Sequence, residues 1–145
     1  MRITIKSVLL LAIIFSGLSA CTKEKKLERS LLKKEGVWDV VNVHNMYYSY
    51  DSLINESNST DHTAFVFQKG GKFSWENGND TGTWFNTDNE IVITLVNQWS
   101  YNNNNVLIFR VIEESKNEMT LEYAKLTVDM GVWKSVTTYR IKRRK

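Results

Sequence analysis

The chain has 145 residues, a length that allows a single domain. Its composition, 42% hydrophobic and 24% charged, excludes a chain that is disordered along its whole length. Of its 19 Lys and Arg residues two lie in the first 20 positions, which leaves 17 against 16 acidic residues in the rest of the chain and gives no support to nucleic-acid binding.

The first 20 residues have the layout of a secretory signal peptide. Arg2 and Lys6 make a positive start, residues 8–15 are an unbroken apolar run, and small residues follow. The run is shorter than the roughly 20 residues that a membrane-spanning helix needs. We therefore predict that residues 1–20 are a signal peptide rather than part of the domain.

The only cysteine, Cys21, follows this segment directly. Leu18-Ser19-Ala20-Cys21 resembles the lipobox of bacterial lipoproteins. The resemblance implies cleavage before Cys21, a diacylglycerol on its sulfur, and a protein held by lipid at the outer membrane of the cell envelope. The alternative is a free structural or redox cysteine, since a single Cys allows no intramolecular disulfide.

Residues 21–35 form a charged tether that contains a short helix. Leu27, Leu31 and Leu32 lie at i, i+4 and i+5, on one side of a helix. Gly36 can end that helix. We expect about two helical turns packed against the domain that follows, residues 36–145.

From Gly36 onward the apolar period changes to two, which is typical of strands. Residues 55–61, NESNSTD, have the composition of a polar loop. The predicted strands are residues 37–50, 64–68, 72–77, 81–86, 90–96, 106–114, 118–126 and 132–142. Short connections make consecutive strands antiparallel, and closure removes open edges. We therefore predict an all-β, eight-stranded antiparallel up-and-down barrel with a short N-terminal helix.

Alternation along these strands predicts which side chains fill the barrel. The inward set is Trp38, Val40, Phe65, Phe67, Phe73, Trp75, Trp84, Ile91, Ile93, Leu95, Met119, Leu121 and Tyr123. Residues 106–112 are apolar on both faces apart from Arg110. We favour Leu107, Phe109 and Val111 inward, because that places Arg110 in water.

Gly36-Val37-Trp38, after a short helix and at the start of the first strand, resembles the lipocalin signature. The resemblance implies that the Trp packs at the closed end of the barrel under an Arg from the last strand, which Arg140 is placed to match. Further stretches are similar to lipocalin-like lipoproteins of Bacteroidota: Phe65-Val66-Phe67, Gly71-Lys72-Phe73, Gly82-Thr83-Trp84 and Asn117-Glu118-Met119-Thr120-Leu121. The family implies a small calycin barrel in which Gly36, Trp38 and Arg140 are structural residues.

The sequence offers few groups for catalysis. His44 and His62 could approach each other at one rim of the barrel, as a metal site or as ordinary rim histidines. No P-loop, Gly-x-Gly-x-x-Gly or Gly-x-Ser-x-Gly motif is present. We expect no enzymatic activity, no cofactor and no metal.

Aromatic residues are the candidate ligand contacts. They are Phe67, Trp75, Trp84 and Tyr123 in the interior, and Tyr47, Trp99 and Tyr101 near the mouth. In an up-and-down meander the first and fifth connections open at the same end, so residues 47–61 and 99–105 should flank one mouth. We expect a small apolar or amphipathic ligand in the barrel.

Two other functions are compatible with the same residues. One is a protein-interaction module, such as an inhibitor, an immunity protein or an envelope-complex subunit, that uses its loops and has a filled interior. The other is a carbohydrate binder that uses Trp99 and Tyr101 on the outside.

The chain ends in a basic cluster: Arg140, Lys142, Arg143, Arg144 and Lys145. This composition is typical of a solvated tail. The functional alternative is a contact with anionic lipid or glycan near the membrane.

Overall fold

A computed structural model describes residues 23–76, 80–96, 106–127 and 133–145. In these residues the backbone forms a helix, α1 (residues 23–32), a 3-10 turn (Lys33–Gly36) and nine strands. The strands are β1 (Val37–Ser49), β2 (Ser52–Ser59), β3 (Ala64–Gln68), β4 (Lys72–Glu76), β5 (Thr81–Asn86), β6 (Glu90–Val96), β7 (Val106–Glu114), β8 (Glu118–Thr127) and β9 (Trp133–Arg143).

Eight of these strands close into a barrel. β3 to β9 pair in chain order, and every pair is antiparallel. β9 pairs back with β1 along residues 38–49, and β1 completes the circle by pairing residues 37–39 with β3. The predicted all-β, eight-stranded antiparallel barrel with a short N-terminal helix is confirmed.

The ninth strand, β2, corrects the prediction of a polar loop at residues 55–61. β2 pairs with residues 43–49 of β1, and all eight of its residues are exposed. Tyr50 and Asp51 connect the two strands with φ of 47° and 63°, as a two-residue hairpin turn of type I′ requires. A strand that buries neither face has no apolar alternation, and Tyr-Asp is not the Asn-Gly pair that usually marks this turn.

The barrel wall has two heights. β1 has 13 residues and β9 has 11, whereas β3 and β4 have five each. At roughly 3.3 Å per residue, β1 extends about 40 Å and β3 about 17 Å. We call β2, β1, β9 and β8 the tall wall. Near its top, residues 123–127 of β8 pair with β9, whereas the pairing of β8 with β7 ends at Glu122.

The core follows the predicted alternation. Every residue of the predicted inward set is buried or packs partly buried against the central cluster. Leu107, Phe109 and Val111 belong to it as well, and the side chain of Arg110 is 63% exposed. The prediction that Arg110 faces water is therefore confirmed.

α1 covers one end of the barrel, the closed end. Leu27 and Leu31 are buried, and the indole Nε1 of Trp38 donates to the Leu31 carbonyl at 3.0 Å. The amide of Asn86 donates to the Glu24 carbonyl at 2.9 Å. Gly36 follows the helix with φ +71°, and a Cβ there would lie 1.8 Å from the carbonyl oxygen of Phe67. Only glycine fits this close approach between helix and barrel.

The guanidinium that lies over Trp38 belongs to Arg143, so the prediction of Arg140 is wrong. Its centre is 4.5 Å from the centroid of the Trp38 ring, and the register places Trp38 opposite Arg143. Ile141 is buried inside the barrel, and alternation puts Arg143 on the same face and Arg140 outside. Arg140 is instead 3.0 Å from Glu118 on the outer surface. The error came from ending the last strand at Lys142.

We expect Arg143→Met to lower the free energy of unfolding by about 2–4 kcal/mol, because the buried carbonyl of Ser30 in α1 and the carbonyl of Lys116 in the β7–β8 turn lose their donor. Unfolding of the purified protein in guanidinium chloride or urea measures this change in free energy. The matched control is Arg140→Met, whose exposed ion pair contributes about 0–1 kcal/mol. Equal losses in both variants would contradict the role given to Arg143.

Candidate functional site

The deep interior of the barrel is filled by aromatic side chains. The ring centroid of Phe65 lies 5.1–6.4 Å from those of Phe67, Phe73, Trp75, Phe109 and Tyr139. Phe67 is 0% exposed and Trp84 is 6% exposed, with its Nε1 donating to the Gln68 carbonyl at 3.1 Å. Two of the predicted ligand contacts, Phe67 and Trp84, thus lie within the core and hold it together.

Above this core lies a layer of partly buried rings, which we call the aromatic floor: Trp75, Tyr123 and Tyr139. The Tyr123 ring is 5.8 Å from Phe109, and the Tyr139 ring is 5.6 Å from both Phe65 and Phe109. Each floor residue carries a polar group, and the Trp75 Nε1 donates to the Thr63 hydroxyl at 3.0 Å. The floor therefore offers both ring faces and hydrogen-bonding groups.

The inner face of the tall wall continues the site toward the open end. Tyr139 pairs with Val43 and Leu121, which are both buried. One step of alternation higher, Asn45 lies opposite Thr137, whose hydroxyl donates to the Asn45 side-chain oxygen at 2.8 Å. A further step reaches Tyr47, opposite Ser135 of β9, while Lys125 of β8 pairs with the same Ser135. The wall changes from apolar to polar as it rises.

A carboxylate contributes to the electrostatics of the floor. Burial raises the pKa of Tyr139, and the negative charge of Asp61 and the neighbouring Tyr123 and Tyr47 raise it further. The Asp61 carboxylate also accepts the backbone N–H of Thr63 at 3.1 Å. The Tyr139 phenol therefore stays protonated at neutral pH and can act as a hydrogen-bond donor.

The structure places Trp75 and Tyr123 in the aromatic floor and Tyr47 higher on the inner face of the tall wall. The predicted contacts Trp99 and Tyr101 lie outside the described residues. Asn45, Asp61, Thr137 and Tyr139 were missed because we followed the inward face only as far as its apolar residues. Continuing the period of two back from Ile141 would have found Tyr139 and Thr137. The period could not find Asn45, because a register shift between Val40 and Asn42 moves the inward face of β1 from Trp38 and Val40 to Val43 and Asn45.

The histidines do not define a metal site in the described part of the chain. His44 Nε2 lies 2.7 Å from the Glu56 carboxylate, on the outer face of the β1–β2 hairpin. Among the described residues there is no group of three or more His, Cys, Asp or Glu side chains able to hold a metal ion.

No protein-family model, curated protein or solved structure matches this chain. Its class is therefore described by the fold, a closed eight-stranded antiparallel barrel with a helix across one end. None of the helices in the described ranges is long and apolar enough to cross a membrane.

The raised pKa of Tyr139 predicts a late-ionising phenol. In a titration followed by phenolate absorbance at 295 nm, we expect one tyrosine to ionise above the ordinary value of 10, and Tyr139→Phe to remove that step. Above pH 10 the unfolded chain loses this proton first, so the stability of the wild type falls more steeply with pH than that of Tyr139→Phe. The control is Tyr50→Phe, a 72% exposed residue, which should keep the late step.

Proposed function

We propose that this protein is a lipid-anchored, lipocalin-like protein of the cell envelope that binds a small amphipathic ligand at the open end of its barrel. The observation that carries the proposal is the pairing of the aromatic floor with a polar inner wall. Ring faces suit the apolar part of such a ligand, and the wall supplies donors and acceptors for its polar part.

The filled deep interior selects among ligands. A long hydrocarbon chain would need the space that Phe65, Phe67 and Phe109 occupy. A wholly apolar molecule higher up would cover the side-chain NH₂ of Asn45 without replacing its hydrogen bonds to water, at a cost of about 1–3 kcal/mol. A ligand with one apolar face and several hydroxyl, amide or charged groups matches the site better.

The anchor sets the orientation of the barrel in this proposal. Cys21 precedes the first described residue of α1 by two positions, and α1 covers the closed end. Lipid on Cys21 would hold the closed end near the membrane and leave the open end facing away. Two or three acyl chains make such anchoring effectively permanent, since each buried CH₂ contributes about 0.8 kcal/mol.

A protein-interaction module is the second candidate, and two observations favour it. The aromatic core leaves the deep interior without room for a ligand. The outer face of β5 to β7 also exposes apolar side chains, with Phe85 at 58%, Ile108 at 50% and Val96 at 67%. Phe85 and Ile108 both lie opposite Val92, so they form one patch.

To test the ligand proposal, we would extract the full-length protein from its own host in detergent and examine it by native mass spectrometry. A retained small molecule is the expected result. Tyr47→Ser removes the contact between the Tyr47 ring and the ligand. It should weaken binding of the small molecule, and of the amphipathic probe 1-anilinonaphthalene-8-sulfonate, by roughly three- to ten-fold.

The matched control is Tyr48→Ser, since Tyr48 neighbours Tyr47 but lies on the outer face, where its ring contacts Lys134. Unchanged binding in this control, together with weaker binding in Tyr47→Ser, supports the open-end site. The interaction module would be favoured if no small molecule is retained and if both variants change the binding of the probe equally.

For the anchor, we expect Cys21→Ser to appear in the soluble fraction or as an uncleaved precursor, because serine has no thiol to carry the lipid. Fractionation of host cells with an immunoblot for the protein measures this. Thr22→Ser keeps the thiol and should leave the protein in the membrane fraction. Membrane association of Cys21→Ser at the wild-type level would refute the anchor.

A further inference from the structure

We propose that a basic pocket at the closed end binds the phosphate of an anionic lipid headgroup. The pocket lies between α1 and the turn that joins β7 to β8, and its volume is about 350 Å³. The lining residues that matter here are Lys26, Arg29, Ser30, Lys33, Glu114 and Lys116. We call it the basic pocket.

The fold assembles the basic pocket from two elements. Lys26 and Arg29 lie at i and i+3 on one flank of α1, and Lys33, the first residue of the 3-10 turn after the helix, lines the same pocket. Lys116 approaches them from the β7–β8 turn. Arg143 fixes the distance between helix and turn, because its guanidinium donates to the carbonyls of both Ser30 and Lys116. The four cations are therefore held around one preformed space.

The basic side chains of this pocket differ from those at the end of the chain in their ion pairing. Lys26, Arg29, Lys33 and Lys116 form no ion pair with any residue in the described part of the chain. The basic cluster at the end of the chain is largely neutralised by contrast. Hydrogen bonds from Arg140 and Lys142 lower the pKa of Glu118, which keeps it ionised between them.

Arg143 and Arg144, the other two arginines of that cluster, also have partners within the protein. Arg144 lies between Asp39 and Glu76, and Arg143 is buried against Trp38. Lys26, Arg29, Lys33 and Lys116 differ from other cations of the closed end, such as Lys34, Lys69 and Lys72, in that all four line one cavity. The helix dipole accounts for cations near the end of α1, but it does not account for Lys116 on the facing turn.

The two flanks of α1 differ in sign. On the flank away from the basic pocket, Glu24 and Glu28 line a smaller cavity of about 230 Å³ beside Gly71 and Trp84. An anionic surface would attract the basic flank and repel the acidic one, which gives the helix a preferred side toward the headgroups. A guanidinium binds phosphate oxygens in a bidentate manner, and the lysines add point charges.

The placement of the basic pocket toward lipid rests on the proposed anchor at Cys21, five positions before Lys26. Phosphate recognition itself does not depend on the anchor. Binding can therefore be measured in detergent, without a membrane. If the basic pocket does not bind lipid, the binding measurement fails but Cys21→Ser still leaves the membrane fraction. If the anchor is wrong, Cys21→Ser stays in the membrane fraction.

The test is native mass spectrometry of the full-length, detergent-solubilised protein titrated with phosphatidylglycerol, phosphatidylcholine or inorganic phosphate. Phosphatidylglycerol should bind most tightly. Replacing Lys26, Arg29 and Lys33 together by Gln should weaken it about 100-fold, from roughly five-fold per charge. Glu114→Gln removes the acidic group lining the pocket and should strengthen binding a few-fold.

The matched control replaces Lys34, Lys69 and Lys72 by Gln, which removes the same charge from exposed positions that do not line the basic pocket. This triple variant should weaken binding no more than a few-fold. Equal loss in both triple variants would show diffuse attraction and overturn the pocket. Binding of inorganic phosphate without binding of phosphatidylglycerol would overturn the headgroup assignment.

Discussion

The closed end of this barrel depends on the buried guanidinium of Arg143. Its charge lies over the Trp38 ring, and its hydrogens reach Ser30 in α1 and Lys116 and Asn117 in the β7–β8 turn. Burial lowers its pKa, and the charge of Glu114 acts in the opposite direction. Removing a cation from water costs several kcal/mol unless its donors find partners, and α1 provides one of them. One residue therefore ties the helix to the start of β1, the end of β9 and an outer turn.

The two ends of the barrel differ in chemistry as a result. At the closed end, the same guanidinium that seals the core also sets the width of the basic pocket between α1 and Lys116. At the open end, the aromatic floor and the inner face of the tall wall are mainly neutral and rich in hydroxyl and amide groups. The proposed ligand site and the proposed lipid contact are thus separated by a packed aromatic core, and each can change without rebuilding the other.

Most of the fold could be predicted from the sequence because apolar alternation records which face of each strand is buried. That signal located the strands of the barrel and most of its inward residues. In β7, where both faces are apolar, the charge of Arg110 decided which face is inward. Alternation could not reveal β2, which buries neither face, or Asn45, which lies beyond a register shift in β1. Arg143 was missed for another reason. It lies at a strand end, where a shift of one residue decides whether a side chain belongs to the barrel.

The contact between Arg143 and Ser30 joins positions 113 residues apart in the sequence. β1, near the beginning of the domain, likewise finds its full-length partner only in β9, the last strand. Pairings this distant in sequence carry a large loop-closure entropy and slow the folding of β proteins. Neither barrel closure nor the contacts of Arg143 with α1 can form before the last strand has been synthesised. Until then β1 has an unpaired edge, and a nascent chain in this state would be the form most exposed to misassociation and to chaperones.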